Sequence, residues 1–133
     1  MCRDGARLVH EKVIAPINTD QLKVFVIWTP RYPGDNRKRA VAAAGIVPDS
    51  RATHFWDANG YLPREYGGIL DLPEGDQFAW DTYMVFGRGT EWNHALPRPH
   101  NWMHQMSKSL GRDDPRWLDG DEFAKTVARM VSE

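Results

Sequence analysis

The chain has one cysteine, Cys2, among 133 residues. A single thiol excludes an internal disulfide and a structural zinc site built from several cysteines. Long apolar runs are also absent: no stretch approaches the ~20 residues needed to cross a bilayer. No secretory leader is visible in the chain as given. A cytoplasmic setting is therefore expected for it as given, with export the alternative if a leader lies upstream. Charge of one sign is lacking too. The formal net charge is -1, so neither nucleic acid nor an anionic membrane surface is an expected partner. There is no internal repeat, no low-complexity tract and no linker-like stretch. Length and these absences predict one globular domain over 1–133.

Aromatic residues, by contrast, are plentiful. Six tryptophans read as anchors of core and loops, because Trp buries a large area. Leu8, Val9 and Val13 recur with helical spacing and predict a helix over 3–14, ended by Pro16 and Asn18. The run Leu22–Trp28 is almost entirely apolar, β-branched or aromatic, and predicts a strand buried on both faces. Asp35 or Asn36 then caps a short Ala-rich helix through Ala44, stopped by Gly45.

Ala52–Trp56 reads as a short strand, followed by the turn Asn59-Gly60. Pro63 suits a helix start, and Leu62, Tyr66, Ile69 and Leu70 give that helix an apolar side. Gly67-Gly68 opposes it. Thr82–Phe86 is a second strand. Gly87-Arg88-Gly89 predicts a turn that brings Thr90-Glu91-Trp92 back as a hairpin. Pro97 and Pro99 make 93–102 an irregular loop. Asp119 with Glu122 opens a last helix, whose apolar stripe is Phe123, Val127, Met130 and Val131. Alternation followed by a hairpin and a helix predicts an α/β fold with an antiparallel edge.

Several segments together carry a resemblance. They are Cys2-Arg3-x-Gly5-Ala6-Arg7, Ile27-Trp28-Thr29-Pro30, His54-Phe55-Trp56-Asp57, Ala79-Trp80-Asp81-x-Tyr83, Trp102-Met103-His104-Gln105 and Leu118-Asp119-Gly120. With this element order, the chain resembles a poorly characterised bacterial group of the thioredoxin-like superfamily. The resemblance implies a three-layer α/β/α sandwich with a mixed sheet, a C-terminal β-hairpin and a closing helix. It also implies that Cys2 corresponds to the second cysteine of a C-x-x-C. The first cysteine and the N-terminal strand, central between the Leu22–Trp28 and Thr82–Phe86 strands, would then lie upstream, the present chain being truncated or mis-started. The resemblance departs at Asp81, where thioredoxins place a cis-proline.

Candidate chemistry centres on Cys2. A thiol at a helix N-terminus has its thiolate favoured by the unpaired backbone N–H groups and the dipole. Arg3 and Arg7 add to this and Asp4 opposes it, while the alternative is an inert exposed thiol. If the sheet is thioredoxin-like, Trp80 and Asp81 lie near Cys2, where the carboxylate could shuttle a proton. Asp81 could equally cap a turn. His100 and His104, four apart, would share one face of a helix and could hold a metal, with Met103 as a soft ligand. The competing reading is a polar loop anchored by Trp102. Arg37-Lys38-Arg39 reads as a solvated face. No motif implies a cofactor. Three functions stay open: a thiol–disulfide or thiol-handling domain acting on a protein thiol or disulfide partner, a non-catalytic thioredoxin-like binding module, and a Cu(I) or Hg(II) site using Cys2 with His100 or Met103.

Overall fold

The structure, a computed structural model, describes residues 3–133 and is mixed α/β, with helices and two small sheets of two strands each. Its residues divide into two units, one formed by the chain up to Tyr61 with Gly120–Glu133, the other by Leu62–Asp119. Among the described residues no helix is long and apolar enough to cross a membrane.

In the first unit, α1 (Arg3–Val9) widens into a π-helical turn, His10–Ile14. There the Ala15 N–H reaches back five residues to the His10 carbonyl at 2.9 Å. The turn buries Val13 and Ile14. Strand β1 (Val24–Trp28) pairs in parallel with β2 (Ala52–Trp56), Val24 opposite Ala52 and Trp28 opposite Trp56. Parallel neighbours need a crossover, and α2 (Arg37–Ala43) lies within it. The α2 start is capped as the sequence suggests: Asn36 is extended, and its side chain accepts the Arg39 N–H at 2.9 Å.

The α2 residues Ala40 and Ala43 bury against Trp28, with Ala6, Val26, Ile46 and Trp56 around them. Burial of β1 on both faces is not what the structure shows. Strand alternation puts Phe25 and Phe55 on the opposite face from Trp28, and they stand 59% and 48% exposed. The last helix, α4 (Gly120–Val131), turns its predicted stripe inward and buries Phe123 and Val127. Gly120 permits a close approach to α1 and its π-helical turn, because a Cβ there would stand 3.1 Å from Lys12 and 3.2 Å from Leu8.

The second unit holds nearly all of α3 (Tyr61–Ile69), together with β3 (Thr82–Val85) and β4 (Asn101–His104). These strands are antiparallel, Thr82 opposite His104 and Val85 opposite Asn101. The hairpin partner predicted at Thr90-Glu91-Trp92 is therefore replaced by Asn101–His104. The turn after β3 does form, with Gly89 at φ 84 and the Thr90 N–H on the Gly87 carbonyl at 3.3 Å. Trp92 then contributes a side chain instead of a ladder, its ring 4.9 Å from Phe86 and 5.9 Å from Tyr66. The core is Tyr66, Leu70, Leu72 and Met106, with Trp80, Met84, Phe86 and Trp102 packed around it.

Candidate functional site

Among the described residues His104 is the one polar or charged residue that is buried, at 0% exposure. Its position at the end of β4 makes it a junction. Its N–H donates to the Arg116 carbonyl at 3.0 Å, and its carbonyl accepts the Leu118 N–H at 2.8 Å. The side chain ties the same loop. Nδ1 accepts the Met106 N–H at 2.9 Å, which leaves Nε2 to carry the proton and donate to Asp114 Oδ1 at 3.1 Å. Asp114 also accepts the Arg116 N–H at 2.8 Å. Burial pushes the Asp114 carboxyl up, but the Arg116 N–H and the His104 bond outweigh it, and it lies below the usual carboxylate range. Trp117 stands edge-on to the imidazole at 5.6 Å. Both ring nitrogens are engaged and none reaches solvent, so this dyad fixes the 105–118 loop and offers no proton to a substrate.

The other sequence candidates fall around it. Asp81 takes a left-handed backbone, φ 49, unusual for a residue with a side chain. Its Oδ1 accepts the Tyr83 hydroxyl at 3.0 Å, and its carbonyl accepts the Gln105 N–H at 2.9 Å. Trp80 packs on the Tyr66–Met106 core. His100 and His104 do not share a helix face, because the segment is a strand entry and a strand. His100 Nδ1 accepts the Gly87 N–H at 2.9 Å, and strand alternation sets Met103 on the face opposite His104. Among the described residues no cluster of three or more His, Cys, Asp or Glu could hold a metal ion. Cys2 lies outside the described residues.

A second arrangement, unannounced by any motif, lies within the first unit. The Trp28 indole N–H donates to His54 Nδ1 at 3.1 Å, the rings lying within 7° of parallel. His54 Nε2 completes the link at 3.3 Å from the Val47 carbonyl. Beside this pair is a half-open cavity of about 440 Å³ whose lining includes Trp28, Arg37, Ala40, Ala44, His54 and Trp56. Ala40 and Ala44 of α2 and Trp28 and Trp56 of the strand pair contribute to its walls. The one sequence signal for it is the alternation that puts His54 and Trp56 on the same side of β2. Arg37, read above as part of a solvated face, stands at this cavity.

Comparison of the chain with family models, with curated proteins and with solved structures finds no match. Function must therefore be argued from the residues themselves. The two buried or half-buried histidines have both ring nitrogens occupied by structural bonds.

Proposed function

We propose that this is a thioredoxin-like domain that handles thiols through Cys2, with a protein thiol or disulfide as its partner. The observation that carries the reading is the orientation of strand pairing. A parallel pair joined across a helix comes first, then an antiparallel pair, then a closing helix. That is the order a thioredoxin-like sandwich has on the two sides of its central strand.

The chemistry follows from one thiol. The Cys2 thiolate attacks a sulfur of a partner disulfide, the S–S bond breaks, and the departing sulfur leaves as a thiolate. The product is a mixed disulfide on Cys2. A second thiol, supplied by the partner or by a small thiol, then displaces Cys2 and restores it. Alkylation rate against pH tests this. Cys2 is expected to titrate below ~8.5, the value of an unperturbed thiol. An unshifted midpoint on folded protein removes the activated thiol.

A second reading, a non-catalytic binding module, is favoured by Asp81, which the resemblance sets at the position of the proline that shapes disulfide-substrate recognition in thioredoxins. On that reading Cys2→Ser keeps partner binding. Loss of binding in Cys2→Ser decides for thiol handling.

A further inference from the structure

We propose that the cavity between α2 and β2 is a binding site for a small planar aromatic carboxylate. The argument starts from what its walls can and cannot offer. Their apolar part is Trp28, Phe55, Trp56, Val41, Ala40 and Ala44, and flat rings beside small side chains favour a flat apolar body. At about 440 Å³ the space is of the size that takes a small molecule.

Polar groups are few, and their roles are fixed. His54 has no free acceptor, because Nδ1 holds the Trp28 indole N–H and Nε2 faces the Val47 carbonyl. The Trp28 donor is used in the same bond. Two side-chain donors remain: the Arg37 guanidinium and the Trp56 indole N–H have no partner among the described residues. No Asp or Glu lines the space. A site whose free side-chain groups are all donors, one of them cationic, complements an acceptor that carries negative charge. A guanidinium matches a carboxylate through two parallel bonds. Ring and carboxylate on one small molecule satisfy both halves of the wall. The argument for this site makes no use of the Cys2 thiol, so its failure leaves the thiol reading standing, and the reverse holds too.

Titration of the whole chain with 2-naphthoate, followed by tryptophan fluorescence and by the indole N–H signals, tests it. Saturable binding of one equivalent is expected, with the Trp56 signal moving. The neutral 2-naphthalenemethanol should bind at least about tenfold more weakly, and Arg37→Gln should weaken naphthoate by a similar factor. Arg37 is exposed, so that variant keeps its fold, checked by circular dichroism. Ala44→Leu, which narrows the space, should weaken binding of both compounds. Absence of saturable binding up to ~1 mM, equal affinity for the alcohol, or undiminished naphthoate binding by Arg37→Gln would each overturn the proposal.

Discussion

Two neighbouring glycines of α3 have opposite roles. A Cβ on Gly67 would stand 2.0 Å from the backbone carbonyl oxygen of Gln77, while a Cβ on Gly68 would meet nothing within 4 Å. The 73–79 loop runs against α3 at this point, with the Ala79 N–H on the Pro63 carbonyl at 2.8 Å. Gly67→Ala must push backbone away and is expected to cost about 3 kcal/mol. Gly68→Ala removes chain entropy from the unfolded state at no steric cost, and should stabilise by about 1 kcal/mol. Urea unfolding of both variants checks the pair, and equal effects would mean that the loop does not lie on α3. The helix ends by a related device. The Leu72 N–H returns to the Gly67 carbonyl and the Asp71 N–H to that of Gly68, at 3.0 and 3.1 Å, with Asp71 itself at φ 55. This is the closing pattern in which a left-handed residue satisfies the last carbonyls.

At the scale of elements, Arg51 joins the entry of β2 to the segment that follows α1. Its guanidinium donates to the carbonyls of Ile14, Ile17 and Thr19, and to both carboxylate oxygens of Asp49 at 2.9 Å. A lysine has one point charge and no planar fork. Arg51→Lys should therefore leave carbonyls unpaired and lose about 2–3 kcal/mol, read as a lower urea midpoint with unchanged slope. A midpoint equal to the parent's would sink the idea of a clasp. The carbonyl bonds were not visible in the sequence, because those partners lie more than thirty residues from Arg51 (the bond to Thr19 spans 32 positions). What the sequence did reveal was local. Asn36 announced its helix because capping needs only three residues. The short strand at Ala52–Trp56 and the stripe of α4 needed only local pattern. Strand β4 was hidden because Pro97 and Pro99 precede it and because a pairing partner is a non-local choice. The turn at Gly87 formed as read, but Trp92 found Phe86 and Tyr66 to rest on, and that left the ladder to Asn101–His104. The His104–Asp114 dyad was likewise hidden by the intervening loop, although His104 was noted singly.

For the whole molecule, acid is the condition that reaches the ties of both units, each through its own carboxylates. In the first unit Asp49 is held well below the usual carboxylate range, first by the Arg51 side chain and then by the Arg51 N–H. Asp35 is raised by burial, but this is outweighed by the backbone N–H groups of Tyr32 and Arg31, so it too lies low. In the second unit Asp114 is lowered on balance in the same way, against its own burial. A carboxyl whose folded value is depressed binds its proton more readily in the unfolded chain. The stability it contributes is complete above the unfolded value, near 3.9, and is lost as pH falls through the folded one. Melting temperature should therefore be level from neutrality down to about pH 5 and fall steeply below about pH 4. Asp114→Asn should start lower at neutral pH, because the His104 and Arg116 donors lose their charged acceptor. It should then fall less on acidification, since one of the three titrating groups is gone. Thermal melts of both proteins between pH 7 and pH 2.5, bracketing ~3.9, measure the difference. Parallel curves would mean that Asp114 is not among the groups whose protonation unfolds the chain, and the dyad would then matter for its shape and not for its charge.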